Sequence, residues 1–163
     1  MSAPEWNDWG PPTRVRIEHG PVWVFARAVK ERNPVYASDR AARAAGFDAV
    51  PCPPTFTFVV AHAGARPDLQ PEPPAGGAAD LGAAPVAGPG LYLHREQEFV
   101  YHRQPAVGDE LEGRTRVSRP QRKDGGRQPM VLTWYQTRWC DLDGTPVVDE
   151  LITSVYLPDG APN

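Results

Sequence analysis

The helical segments in the first third of the chain, which are separated by prolines, constrain its fold most strongly. Apolar residues at helical spacing predict a first helix over residues 19–30. The Asn33-Pro34 pair ends it, because the residue before a proline avoids the helical region of backbone space. Ser38 then predicts the N-cap of a short alanine-rich helix, which Gly46 terminates.

A proline-rich corner over residues 51–54 leads into a helix predicted over Thr55–Ala63. Nearly all sides of this helix are apolar, and a helix of that kind is buried rather than lying on a surface. His62 is its one ionisable residue. Because buried polar groups are usually hydrogen-bonded, His62 is interpreted as a core histidine rather than an acid–base group.

The second half of the chain predicts antiparallel sheet, since alternating apolar runs are separated by turn residues. A short first strand covers Thr13–Ile17, and four more are predicted over Leu91–His102, Asp109–Ser118, Met130–Cys140 and Pro146–Tyr156. The segment between Arg119 and Gln128 is interpreted as a basic hairpin turn. The fold class is therefore α+β, with a curved antiparallel sheet of about five strands wrapped around the buried helix.

We expect one folded domain over residues 13–158, preceded by an arm over residues 1–12 and followed by a tail over residues 159–163. Trp6 and Trp9 would pin the arm to the body or to a second subunit. The Pro/Gly/Ala-rich segment over residues 65–90 is predicted to be a mobile loop, since it offers little apolar area to offset the entropy of ordering.

The 163-residue chain carries a net charge of −3, which argues against a general nucleic-acid binder. We expect no signal peptide, because the first residues contain neither a basic n-region nor an apolar h-region. We expect no membrane span, because no apolar stretch approaches the ~20 residues that a span needs. Cys52 and Cys140 lack metal-ligand spacing and are interpreted as buried, reduced thiols. These observations predict a cytoplasmic protein without a metal, a membrane or a nucleic-acid partner.

Three stretches resemble the MaoC-like dehydratases, and in particular their N-terminal MaoC-like group, which includes the mycobacterial (3R)-hydroxyacyl dehydratase subunits. FARAVKERNPVYASDRAARAAGF is similar to the family's FA-x-A-x-G-D-x-N-P-x-H segment with the short helix that follows. VPCPPTF resembles the family's A-P-P-T-F entry to its central helix. LHREQEFVYHRQPAVGDEL resembles L-H-x-E-Q-x-F-x-Y-x-R-P-x-x-x-G-D and is the most specific of the three.

The resemblance implies the hot-dog fold and reversible hydration of a 2-enoyl thioester carried on CoA or acyl carrier protein. Water adds at C3 while C2 takes a proton, so the reaction needs a base and an acid within hydrogen-bond reach. It also needs donors at the thioester oxygen, where enolate charge develops. No cofactor is expected besides the thioester carrier. The resemblance places Asn33, Pro54, Thr55, Phe56 and His94 at the substrate.

The acid–base pair of the family is altered in this chain. Glu31 stands where the family has Asp, Tyr36 stands where it has His, and Lys30 replaces Gly. Glu31 is one methylene longer, and a misplacement of about 1 Å can cost ~100-fold in rate. Tyr36 has a phenol with a pKa near 10 and is a poor base at neutral pH. The alternative interpretation is structural: Glu31 and Asn33 cap the turn, and Tyr36 is a core aromatic residue.

Other ionisable residues are weaker candidates for a site. His94 and Glu96 lie two apart and are predicted to share one strand face, where they serve as fallback acid–base groups, line an acyl tunnel or form an ordinary polar face. His102 is predicted to be half-solvated. A basic cluster of four residues could bind a CoA phosphate or an acidic carrier surface, although a solvated hairpin tip is the favoured interpretation. Its members are Arg119, Arg122, Lys123 and Arg127.

The leading hypothesis is an accessory, non-catalytic subunit of a heteromeric (R)-specific hydratase or dehydratase, paired with a hot-dog chain that keeps Asp and His. The second is a homodimeric hydratase that uses Glu31 or His94. The third is an acyl-CoA-binding regulatory protein without catalysis. A thioesterase is possible on fold grounds alone, but fold does not fix function.

Overall fold

The computed structural model describes residues 3–61, 89–124 and 129–159, and every statement below concerns these residues. Helix α1 spans His19–Ala28, α2 spans Asp39–Ala44 and α3 spans Phe56–Ala61, with a 3₁₀ turn over Pro34–Tyr36 between α1 and α2. The strands are β1 Thr13–Arg16, β2 Gly90–Tyr101, β3 Glu110–Val117, β4 Gln121–Lys123, β5 Met130–Asp141 and β6 Pro146–Pro158.

The strands form one antiparallel sheet in the order β1-β3-β5-β6-β2, with β4 pairing beside β5. This arrangement confirms the predicted α+β hot-dog fold, in which α3 packs against the inner face of a curved, open sheet. The sheet has a sixth strand that the sequence did not predict. Strand β4 lies inside the segment interpreted as a hairpin turn, and its polar QRK sequence carries no apolar alternation.

Local sequence explains where the helices begin and end. Ser38 caps α2, since its hydroxyl accepts a hydrogen bond of 3.3 Å from the Ala41 N–H. Helix α1 ends at Ala28, two residues before its predicted end, and Lys30 beyond it takes a left-handed φ of 60°. The predicted central helix is confirmed over α3, whereas its expected continuation through His62 lies outside the described residues.

The core lies between α3 and the inner face of the sheet. The Phe56 ring meets Phe25 of α1 edge-on with ring centroids 5.6 Å apart, and both pack with Trp139 of β5, which is 1% exposed. Burying one large apolar side chain contributes roughly 1.5–3 kcal/mol. Strand β3 can approach the Trp139 ring closely because Gly113, directly opposite on that strand, has no side chain.

The N-terminal arm packs against the sheet of the same chain. The backbone N–H groups of Asn7 and Gly10 donate to carbonyl groups of β3 at 3.0 and 2.8 Å. The Arg116 guanidinium lies 4.6 Å from the Trp6 ring centroid and 4.5 Å from that of Trp9. Cation–π contacts of this kind hold the arm to the body, which is one of the two predicted arrangements.

Two expectations concern segments of which the structure describes only one or two residues. The predicted mobile loop over residues 65–90 is described only at Pro89 and Gly90, and the predicted tail only at Asp159. Among the helices of the described ranges, none has the length and apolarity needed to cross a membrane.

We predict that Gly113→Ala destabilises the fold by about 1–3 kcal/mol, because overpacking a dense core costs this much. The added Cβ would lie less than 3.0 Å from three atoms of the Trp139 ring. The matched control is Gly20→Ala in α1, where a Cβ meets nothing within 4 Å and helix propensity favours alanine. Urea unfolding of both variants is the measurement. Equal stability of the two variants would contradict this packing.

Candidate functional site

The turn after α1 uses Glu31 and Asn33 as backbone caps. Glu31 Oε1 accepts hydrogen bonds from the N–H groups of Arg32 and Asn33 at 2.7 and 2.8 Å. Asn33 Oδ1 accepts from the Val35 N–H at 3.2 Å and starts the 3₁₀ turn. The capping interpretation of both residues is therefore confirmed. The Glu31 carboxylate is turned toward its own backbone, where the two donors occupy one of its oxygens.

Tyr36 lies at the end of this turn and is half-buried. Burial raises the pKa of its phenol, and the charge of Glu31 raises it further, followed by Cys52. A phenol whose pKa exceeds its usual value of about 10 is protonated at neutral pH and cannot act as a base. The charge of Glu31 acts on the Tyr36 phenol, so the two residues at the acid–base positions interact electrostatically.

The corner that opens α3 is held by a tyrosine that the sequence interpretation missed. Tyr101, at the end of β2, accepts a hydrogen bond of 2.9 Å from the Thr55 N–H through its hydroxyl oxygen. The Phe56 N–H is also used, because it donates to the Pro53 carbonyl at 3.2 Å. These two amides at the start of α3 are therefore already bonded within the chain. Tyr101 stood within the quoted motif, but only the fold brings it to this corner.

Thr55 stores backbone strain at the same corner. Its φ is 68°, in the left-handed region that a β-branched residue rarely adopts. Thr55 and Pro54 are exposed, whereas the Phe56 side chain points into the core. Of the three residues predicted to bind substrate here, two are therefore accessible and one is structural.

Glu150 is a second residue that the sequence interpretation missed. It lies on β6 with 2% exposure and accepts a hydrogen bond of 3.1 Å from Trp139 Nε1. Burial raises the pKa of its carboxyl group from 4.5 to about 7. The Thr57 hydroxyl lies close enough to favour the ionised form, although the two groups do not reach ordinary hydrogen-bond geometry. A lone acidic residue in a strand gives no sequence signal of burial.

Tyr101 interacts with both the corner of α3, through a hydrogen bond, and this buried acid, through its charge. Burial raises the pKa of its phenol, the hydrogen bond from the Thr55 N–H lowers it, and the nearby Glu150 raises it again. The raised pKa keeps the hydroxyl proton in place at neutral pH. Tyr101 can therefore accept from the backbone and still donate its own proton to a neighbouring group.

His94 and Glu96 do not share a face, which corrects the prediction. A β-bulge at Arg95 interrupts the pairing, so that His94 lies opposite Ser154 while Glu96 lies opposite Thr153. The His94 ring meets Phe58 of α3 edge-on, with ring centroids 6.1 Å apart. Glu96 points to the other face of the sheet and is exposed.

His102 forms the one close carboxylate–imidazole pair in the described part of the chain. Its Nε2 lies 2.8 Å from Asp149 Oδ2, and Arg138 Nε donates to Asp149 Oδ1 at 2.8 Å. Burial alone would raise the pKa of Asp149, but the hydrogen bonds from Arg138 and His102 outweigh it and lower that pKa. The pair lies on the outer face of the sheet, away from α3 and its corner.

The remaining candidates are the two cysteines and the basic cluster. Burial raises the pKa of Cys52 to about 12, with a further contribution from Asp109, so the buried thiol stays protonated. Cys140 is also a free thiol, but it is only half-buried. In the basic cluster, Arg119 pairs with Glu5 and Arg122 pairs with Asp124, all at exposed positions, and Arg127 lies outside the described residues.

Comparison with known proteins agrees with this architecture. A family model described as "FAS1-like, dehydratase domain region" matches residues 9–150. A UPF0336 protein of Parafrankia sp. (strain EAN1pec) is 33% identical over 131 residues, which cover 77% of this chain and 73% of the relative.

Two solved structures from Mycobacterium tuberculosis share the fold. The C-terminally truncated HadBC (3R-hydroxyacyl-ACP dehydratase) complex has a TM-score of 0.65 at 23% identity, covering 94% of this chain and 98% of that one. The ChsH1-ChsH2 complex has a TM-score of 0.70 at 20% identity, covering 94% and 87%. The resemblance to the MaoC-like dehydratases is thereby confirmed for family and fold.

We predict that Glu150→Gln changes how stability depends on pH. The folded-state pKa of Glu150 is raised, so its stabilising effect is complete below about pH 4.5 and is lost as the pH rises toward about 7. Since one pKa unit is worth about 1.4 kcal/mol, the wild type should lose roughly 3 kcal/mol across this window relative to Glu150→Gln. The measurement is urea unfolding from pH 4.5 to 8.5, with the exposed Glu110→Gln as control. A constant difference between wild type and Glu150→Gln across that range would contradict the prediction.

Proposed function

Because this chain belongs to the family described as "FAS1-like, dehydratase domain region", we propose that it is the accessory, non-catalytic subunit of a heteromeric (R)-specific 2-enoyl-thioester hydratase. In the reverse direction the assembly is a 3-hydroxyacyl-thioester dehydratase. The partner is a second hot-dog chain that carries the intact Asp/His pair. The thioester is carried on CoA or acyl carrier protein, and no cofactor takes part.

The observation that carries this proposal is the use of Glu31 as a cap. In hydration, the base must take a proton from water while water oxygen bonds to C3, and an acid must deliver a proton to C2. Glu31 Oε1 already accepts two backbone hydrogen bonds, so that oxygen has no lone pair left to take a proton from water. Tyr36, its expected partner, holds its proton because its pKa is raised.

A second observation supports the same conclusion at the thioester end. Stabilisation of an enolate needs donors aimed at the developing oxyanion. At the corner of α3, the Thr55 N–H is already bonded to Tyr101 and the Phe56 N–H to Pro53. A thioester oxygen at Pro54–Thr55 would have to displace the Tyr101 hydroxyl or accept its proton. We therefore place the reacting thioester on the partner and assign the acyl chain to this subunit.

Strand β2 supports a second subunit beside this one. It is the edge of the sheet next to β6, it is twelve residues long, and it exposes apolar side chains such as Leu91 and Val100 at 54% and 47%. A long apolar edge needs a covering strand, because its unpaired N–H and C=O groups otherwise recruit other chains. Both solved structures named above are complexes, of HadBC and of ChsH1 with ChsH2. We propose that β2 pairs with the partner's sheet.

We predict that the purified chain alone hydrates crotonyl-CoA at a rate near background. A positioned acid–base pair typically contributes 10²–10⁴-fold, so adding a partner with intact Asp and His should raise the rate at least ~100-fold. Glu31→Asp combined with Tyr36→His should give the chain measurable activity of its own. The readout is loss of enoyl-thioester absorbance.

The matched control for that experiment is Glu31→Gln combined with Tyr36→Phe, which should hydrate no more slowly than the wild-type chain. Robust hydration by the unmodified chain that survives this control would overturn the proposal. It would favour the homodimeric alternative, with His94 as the first residue to test.

We predict that Val100→Lys weakens association without unfolding the chain, because a charge on an edge strand opposes strand pairing. Native mass determination with and without the partner is the measurement. Leu142→Lys, on the equally exposed turn between β5 and β6, is the control and should assemble as wild type does. Unchanged assembly of Val100→Lys would place the interface elsewhere.

A further inference from the structure

We propose that the outer face of the sheet carries a binding site for an amphipathic anion, of the class of a medium-chain fatty acid. The site is a cavity of about 590 Å³ between β2, β6, β5 and β4, on the face opposite α3. It includes neither Glu31 nor Tyr36 nor the corner of α3, and His94 of β2 is among its lining residues. This volume falls within the usual range of small-ligand sites, about 300–1,000 Å³.

The floor of the cavity is apolar. Leu93, Val155 and Leu132 lie side by side in one row across β2, β6 and β5. Leu132 and Val155 are almost fully buried, whereas Leu93 is 43% exposed. Met130 and Leu157 extend this row along the strands. An alkyl chain laid on this floor would remove apolar surface from water at about 25 cal/mol per Å².

The rim of the cavity carries positive charge from Arg95 and Lys123. Arg95 is the bulge residue of β2, and bulges commonly re-aim a side chain beside a binding site. Arg95 forms no ion pair within the described residues, while the one acidic residue of the rim, Asp124, is paired with Arg122 at 2.9 Å. The rim therefore presents the Arg95 guanidinium to the cavity without an ion-pair partner among the described residues.

The apolar floor and the charged rim together indicate which class of molecule binds in the cavity. A purely apolar partner would leave the Arg95 guanidinium beside its surface without a counter-charge, which costs free energy when the group is desolvated. A small inorganic anion would not use the apolar floor. A molecule with one carboxylate and an alkyl chain satisfies both, since a guanidinium binds a carboxylate through paired N–H donors.

Isothermal titration with dodecanoate, below its micelle concentration, tests the site. Wild type is expected to bind with micromolar affinity, and Arg95→Glu to bind at least 10-fold more weakly. Leu157→Gln, which makes the floor polar without changing a residue of the edge strand β2, should also weaken binding at least 10-fold. The matched controls are Arg16→Glu, another exposed strand arginine without an ion pair, and Leu142→Gln, an exposed leucine outside the cavity.

Dodecanol supplies the second arm of the experiment, because it has the same chain without the charge. It should bind wild type more weakly than dodecanoate does, and Arg95→Glu should remove the difference. The proposal is overturned if wild type does not bind, or if Arg16→Glu weakens binding as much as Arg95→Glu does. It is also overturned if Leu157→Gln lowers the assembled mass instead of the affinity, since the groove would then be a subunit interface.

Discussion

Packing of α3 against the inner face of the sheet is the interaction on which the rest of the structure depends. The helix brings Phe56 and Ala61 onto the central strands, where Trp139 fills the space that Gly113 leaves open. The short helix α3 could not persist alone in water, since isolated helices of this length are unstable. Its position therefore comes from burial, and the strained left-handed Thr55 and the bond from Tyr101 determine how the chain enters it.

The same packing determines which ionisable groups are buried and which lie at the surface. Glu150 is buried beneath α3 and favours its neutral form, whereas the Glu31 carboxylate lies at the surface and caps a turn. The buried Glu150 is closed to solvent, and the Glu31 oxygen that caps the turn is already occupied by two backbone donors. On the function proposed above, this chain retains the fold of its family while the acid–base chemistry lies on the partner.

Sequence reasoning found the fold because its signals were local or strongly periodic. The Asn33-Pro34 turn, the Ser38 cap and the apolar α3 all follow from rules that act within a few residues. What it missed depends on tertiary contacts: β4 has no apolar alternation, and the bulge at Arg95 separates His94 from Glu96 without a local cue. Tyr101 gained its role from Thr55, 46 residues away in sequence, and Glu150 gained its raised pKa from burial in the folded core.

The most direct measurement of the central claim is a titration of the catalytic partner, held at fixed concentration, with this chain carrying Glu31→Gln and Tyr36→Phe. If this chain is an accessory subunit, enoyl-thioester hydration should rise to the same plateau as with the wild-type chain and saturate at one accessory chain per partner. A plateau at least ~100-fold lower with the variant would show that Glu31 or Tyr36 takes part in the chemistry, and would contradict the account.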